Sequence, residues 1–211
     1  MQYIVINFIL LLLPTTTDSE LFEGRIEVVQ ESIYEKSYST YFVKDENIRI
    51  DEFDNDHELI QSLIINIEDE RIFILRPHKK LYQEVTLTKA NVASKENFTI
   101  KKTGNSRAVN GSECYQWRVK NNERNTETTY WVSQNNFYFF NDLIKLLNRT
   151  DKTFEFFSKI PETQGFFPML SVERTLLRKE KLRTSVININ KEKLKNSQFD
   201  IPKEFYLIRT N

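Results

Sequence analysis

The chain is poor in the residues on which much protein chemistry depends. Its 211 residues include one cysteine, four glycines, five prolines and two histidines. A lone cysteine, Cys114, can form neither an internal disulfide nor a cysteine-rich zinc site, so the fold must be held by its core. Scarce glycine argues against a phosphate-cradling loop, and no P-loop, G-x-S-x-G or H-E-x-x-H pattern occurs. Charge of one sign is also missing: 30 Lys and Arg balance 30 Asp and Glu. With no net positive field to attract it, nucleic acid is not an expected partner.

The residues that remain available for catalysis are isolated from one another. His57 stands in the acidic stretch Asp54-Asn55-Asp56-His57-Glu58. Carboxylates suit Ca²⁺, but this stretch lacks the glycine and the distant glutamate of a calcium loop, and its residues are ordinary turn formers. His78, in Pro77-His78-Lys79-Lys80, reads as a solvated turn residue. Cys114 has no adjacent base in a recognisable pattern and reads as a small buried hydrophobe. The expectation is a non-enzyme with no cofactor and no metal. Asn97, Asn110 and Asn148 begin N-x-S/T triplets, which matter only in a glycosylating secretory pathway.

Aromatic residues are plentiful, with 16 Phe, nine Tyr and two Trp, and they favour strands and apolar interiors. Near the N-terminus, Ile4 to Leu13 is almost continuously apolar and is ended by Pro14 and Thr15 to Thr17. A run this short fits an export signal better than a membrane span, which needs roughly 20 apolar residues. No Lys or Arg precedes the run, no A-x-A-like site follows it, and no cysteine follows that could carry a lipid. The reading is a signal over residues 1–19 and one domain over residues 20–211, with a buried N-terminal strand or an uncleaved anchor as alternatives.

After that run, period-two alternation dominates. Phe22, Gly24, Ile26 and Val28 share one parity and Glu23, Arg25 and Glu27 the other, the pattern of a half-buried strand. Similar short strands read over residues 41–44, 47–51, 62–67, 71–76 and 80–85, with Pro77 ending the fourth of these. After a linker over Lys89 to Glu96 come residues 98–102 and 106–109. Asn110-Gly111 marks a hairpin into residues 113–119, because both residues tolerate positive φ. In that strand Tyr115, Trp117 and Val119 share a face. Residues 127–132, 169–175 and 181–189 complete the set. The aromatic stretch around Phe154, Phe156, Phe157 and Phe166-Phe167-Pro168 reads as irregular or as a short edge, punctuated by Pro161 and Pro168.

One segment has another period. In Asn136 to Asn148, Phe137, Phe140, Ile144 and Leu147 recur at three- and four-residue spacing, and Phe139, Leu143 and Leu146 widen the apolar arc to about half the circumference. A helix this apolar must be embraced. A curved sheet would do that, and so would the core of an ordinary α+β domain.

The order of several short motifs resembles an uncharacterised bacterial family, the domain of unknown function DUF4412. They are Phe22-Glu23-Gly24-Arg25-Ile26, Ile48-Arg49-Ile50-Asp51, Pro77-His78-Lys79-Lys80-Leu81-Tyr82, Lys102-Thr103-Gly104 leading to Asn110-Gly111-Ser112-Glu113-Cys114-Tyr115-Gln116-Trp117, Tyr130-Trp131-Val132, and the closing Phe199-Asp200-Ile201-Pro202. Each is weak alone; together they run over nearly all of the chain after residue 19. That family is similar to the LolA and LolB lipoprotein carriers. The resemblance implies a strongly curved antiparallel sheet or incomplete β-barrel, mainly β with a helix in its concave face. It also implies a periplasmic or otherwise exported place in a Gram-negative envelope, and it supplies no catalytic residues.

Two functions remain open. The first is an apolar-ligand carrier that holds lipid or lipoprotein acyl chains against Ile26, Tyr115, Trp117, Tyr130, Phe137, Phe140, Ile144 and Leu147. The second is an envelope protein-interaction or sensing module with a filled core, using an open sheet edge or the aromatic loop near Phe166. A monomer is expected in either case.

Overall fold

A computed structural model describes residues 21–87, 97–147 and 155–208. The segment read as an export signal, the Lys89–Glu96 linker, and Phe154 lie outside these residues. Twelve strands form one sheet. They are β1 (Gly24–Ser32), β2 (Lys36–Lys44), β3 (Asn47–Phe53), β4 (Leu59–Asn66), β5 (Arg71–Arg76), β6 (Leu81–Glu84), β7 (Phe98–Val109), β8 (Ser112–Asn121), β9 (Thr126–Gln134), β10 (Phe166–Thr175), β11 (Glu180–Lys191) and β12 (Tyr206–Leu207). Among the described residues the α-helices are α1 (Phe139–Leu147) and the single turn α2 (Glu155–Ser158). The sheet order is β12-β6-β5-β4-β3-β2-β1-β11-β10-β9-β8-β7, antiparallel throughout except where β12 joins β6.

The hairpins follow from local chemistry. Asn110 and Gly111 take φ of 48° and 77° between β7 and β8, as a tight turn with both central residues left-handed requires. Asp45 makes the β2–β3 turn with φ of 51°. The non-local step is β1 beside β11, which joins two meanders into one sheet: Ile26 lies opposite Tyr41 on one side and Ile189 on the other.

The sheet must curve. Ile65 and Ile72 on β4 and β5 share one apolar core with Trp117 and Val119 on β8 and with Phe140, Leu143 and Ile144 of α1. β5 and β8 are eight steps apart in the sheet, roughly 38 Å if it were flat. A nine-residue helix is only about 14 Å long, so the sheet wraps around α1 and brings its distant strands to a common interior. The inward rows are regular: Val43, Ile48, Ile65 and Ile72 lie side by side across β2 to β5, as do Tyr41, Ile50, Leu63 and Ile74.

The last segment of chain returns across the outer face. Lys44 Nζ donates to the Leu194 carbonyl at 2.7 Å, and Arg49 Nη1 to the Gln198 carbonyl at 3.2 Å. The backbone N–H groups of Tyr206 and Ile208 then donate to the Lys80 and Tyr82 carbonyls at 2.9 and 2.8 Å. This strap runs from the end of β11 to the outer edge of β6, so a covered strand end replaces what would be a free edge. Arg49 also pairs with the buried Asp51 at 2.7 Å.

Several sequence expectations need correction. Phe166, Phe167 and Pro168 are neither irregular nor at an edge; they open β10, between β9 and β11. Proline cannot donate to a ladder, but the pairing of β10 with β9 shifts register between Pro168 and Leu170, and a bulge is where an interior strand tolerates proline. Phe156 and Phe157 lie in α2. Residues 98–102 and 106–109 are one strand, β7, with a register shift between Lys102 and Ser106. The helix begins at Phe139, so Phe137 belongs to the preceding turn, and Asn148 lies outside the described residues.

Candidate binding surfaces

Most of the residues expected to line an apolar site come together around α1. Phe140 meets Phe167 with ring centroids 4.6 Å apart and Phe157 at 5.4 Å. Phe157 in turn meets Tyr130 at 5.2 Å, edge to face, and Trp117 at 6.3 Å. Phe137 stands 5.3 Å from Phe167 and 5.1 Å from Phe22. Ile26 and Ile144 are buried in the same cluster, and the half-buried Leu147 packs on it. Tyr115 stands apart: it is 38 % exposed, and the buried position at its end of β8 is taken by Cys114. Tyr115, Trp117 and Val119 do share one face of β8, opposite Val132, Tyr130 and Thr128 of β9 with no break in register, but of the three only Trp117 and Val119 are buried there.

The cluster is packed tightly. Ile26 and Phe157 are 0 % exposed, and Phe137 and Phe140 1 %. A void wide enough for an acyl chain would leave accessible surface on its lining, so these side chains fill the space they enclose. Burial pushes the Tyr130 and Tyr41 hydroxyls far above the ordinary phenol pKa range, so both stay protonated. Within α1, Asn141 is buried and accepts a hydrogen bond from Thr163 Oγ1 at 3.1 Å, which ties the helix to the loop before β10.

The acidic stretch around His57 is a closed turn. Asp54 Oδ1 accepts the backbone N–H groups of Asp56 and Glu58, both at 2.9 Å. The His57 ring stacks on Tyr38 at 4.0 Å. Among the described residues, no group of three His, Cys, Asp or Glu side chains is arranged to hold a metal ion.

Sequence reading missed a polar depression of about 260 Å³, lined by Arg107, Gln116, Thr129, Trp131, Leu170, Val172, Arg174 and Arg183. Cross-strand register builds it. Gln116, Trp131 and Leu170 stand side by side across β8, β9 and β10, and Arg118, Thr129, Val172 and Arg183 form the next row across β8 to β11. Leu170 and Val172 are buried but lie outside the central core cluster, so they form the apolar floor of a separate surface. Glu180 is clamped by two arginines: Arg183 Nε and Nη2 at 2.8 and 3.0 Å, and Arg174 Nη2 at 3.0 Å. Hydrogen bonding from Arg183 is the main reason its carboxyl sits below the usual range. Arg107 comes from β7, two strands from β9, and its guanidinium lies 4.0 Å from the Trp131 ring centroid. The hairpin tip beyond it is pinned by Asn110, whose side-chain amide donates to the Val186 carbonyl on β11.

The fold is shared with solved structures at low identity. An uncharacterised conserved protein from Thermus thermophilus is 8 % identical, with 89 % of this chain and 91 % of that chain covered and a TM-score of 0.52. A chain in the MucA/MucB complex of Pseudomonas aeruginosa is 11 % identical, with 91 % and 60 % covered and a TM-score of 0.53. MucB in complex with MucA(peri) gives 10 % identity, 90 % and 57 % coverage and a TM-score of 0.51. This chain thus spans about three fifths of the MucA/MucB chains it resembles. No curated protein matches the sequence. The family model described as "Domain of unknown function (DUF4412)" matches residues 22–205, nearly the whole of the sheet, and the chain belongs to that family.

Proposed function

We propose that this protein is an exported binding module of the cell envelope that engages a partner protein at its surface. The observation that carries this reading is the filled interior. With Ile26, Phe137, Phe140 and Phe157 at most 1 % exposed, the concave face has been used to build the core, which leaves the outside of the molecule for recognition. Support also comes from the fold, which is that of a chain in a complex described as MucA/MucB. Of the two ends of the sheet, one is closed by the short β12, while β7 ends the other with 12 residues, most of them exposed. A long edge strand offers unpaired N–H and C=O groups to an extended peptide. Phe98 and Ile100 turn inward onto the core, while Thr99 and Lys101 point out, which would fix the register of an added strand.

The test is site-specific photocrosslinking in the producing cells, with a photoreactive phenylalanine analogue at Thr99 and, as control, at the exposed Asp69 turn. One discrete crosslinked protein from position 99 and none from position 69 is the expected result. No adduct, or the same adducts from both positions, would remove the β7 edge from consideration.

A second reading keeps the residues around α1 as the lining of a site for lipid or lipoprotein acyl chains. It is favoured by the composition of that surface, since Phe140, Leu143 and Ile144 present apolar area to the sheet that an acyl chain could replace. It requires α1 to leave its seat. Native mass spectrometry with solvent extraction separates the readings: co-purified lipid supports displacement, and a clean apo mass supports the filled core.

A further inference from the structure

We propose that the depression floored by Leu170 and Val172 and walled by Trp131, Arg107, Arg174 and Arg183 is a binding site for an oxyanion, carboxylate or phosphate, that carries a small apolar group beside it. The site goes beyond the edge-strand reading and does not depend on it.

Its charge balance is the first argument. Arg174 and Arg183 share one carboxylate, Glu180. Arg107 has no carboxylate partner among the described residues; it lies instead over the Trp131 ring. Three guanidinium groups thus line one small depression against a single neighbouring acid. Nearby acids do not change the count, because Glu127 pairs with Arg118 at 2.5 Å and Glu173 with Lys181 at 2.9 Å. Like charges gathered this way repel one another, and an anion placed among them relieves the repulsion.

The second argument is which donors remain. A guanidinium held over an indole is attracted by the ring face and need not spend its N–H groups on that contact. Arg107 lies over Trp131, a contact that uses the ring face and no N–H donor, and the Asn110 link to β11 holds the hairpin that carries it. Arg183 gives Nε and Nη2 to Glu180 and Arg174 gives Nη2 alone, which leaves Nη1 on both. Forked donors of this kind match the two oxygens of a carboxylate or phosphate.

The third argument is shape. Leu170, Val172 and the indole supply an apolar floor and wall, and Gln116 and Thr129 add neutral hydrogen-bonding groups. A volume of about 260 Å³ falls below the range of roughly 300–1,000 Å³ of drug-sized pockets. It suits one end group of a ligand rather than a whole large molecule.

The test uses the folded chain in a low-salt buffer free of phosphate. N-acetylphenylalanine, its neutral amide, and phenyl phosphate are titrated while the Trp131 indole resonance is followed by NMR, with the buried Trp117 indole as internal reference. Saturable shifts at Trp131 for at least one of the two anions are expected. The amide should bind at least tenfold more weakly than N-acetylphenylalanine if the carboxylate binds. Arg107→Gln, at an exposed position, should weaken anion binding by about tenfold, the scale of a lost charge-assisted hydrogen bond. Arg71→Gln, elsewhere on the sheet, should leave it unchanged. Binding of N-acetylphenylalanine alone assigns a carboxylate, phenyl phosphate alone a phosphate, and both the shared oxyanion chemistry. The site is overturned if neither anion saturates, if the amide binds as well as the acid and phenyl phosphate does not bind, or if Arg107→Gln binds like the parent.

Discussion

Phe140 on α1 and Phe167 on β10 meet with ring centroids 4.6 Å apart and planes at 59°, and this pair joins the helix to the middle of the sheet. Both rings are buried, so Phe140→Ala removes transfer energy and leaves a cavity. A loss of about 3–5 kcal/mol of unfolding free energy is expected, read as a lower urea midpoint. Phe140→Leu should recover most of it, because volume is largely kept. A loss below about 1 kcal/mol for the alanine variant would show that α1 is loosely seated, and would strengthen the reading in which a lipid displaces it.

How much of this was legible depended on how local the cause was. Alternation around Ile26, the Asn110-Gly111 hairpin, the end of β5 at Pro77, and the wide apolar arc of α1 are set by neighbours within a few residues, and all appear in the structure. Pro168 misled because its effect depends on a bulge that is visible only once β9 lies beside it. The strap after β11 was invisible for a related reason: its anchors, Lys44 and Arg49, are about 150 positions away in sequence. The arginine-lined depression is non-local in the same way, since β7, β8, β9, β10 and β11 each contribute to it and no short motif records that juxtaposition.

Glu23 ties the start of the sheet to the strap. Its carboxylate accepts the Leu194 backbone N–H at 2.8 Å and pairs with Lys193 Nζ at 3.0 Å, and the backbone bond is the main reason its carboxyl lies below the ordinary 4.5. A depressed folded-state value contributes stability that is present above the unfolded value and is lost as pH falls through the folded one. Glu23→Gln should therefore be less stable than the parent at pH 7, with the gap shrinking as pH falls below the ordinary 4.5. Urea titrations at pH 7 and pH 3 measure this. A gap that stays constant between them would mean the charge of Glu23 contributes nothing.

Cys114 is fully buried in β8 and its thiol ionises less readily than a free one, chiefly through desolvation. Because the thiolate is the reactive form, a water-soluble disulfide reagent at pH 8 should leave the native protein unlabelled and label it once in denaturant. Rapid labelling of the native protein would place the thiol at the surface and reopen a reactive role for it.

At Gly24, β1 leaves no room for a side chain against β11. Its φ is 149°, and a Cβ at this position would run into the Asn190 carbonyl oxygen. Backbone atoms on a paired strand cannot step aside as a flexible side chain would, so Gly24→Ala must either spread β1 from β11 or break their register. These two strands join the halves of the sheet, and spreading them would loosen the wall that holds α1. A loss of about 2 kcal/mol or more is expected. Gly104→Ala is the matched control: a Cβ there meets nothing within 4 Å, so its effect should stay within about 0.5 kcal/mol. Equal urea midpoints for the two variants would mean that the β1–β11 seam is not drawn as tightly as the close contact at Gly24 requires.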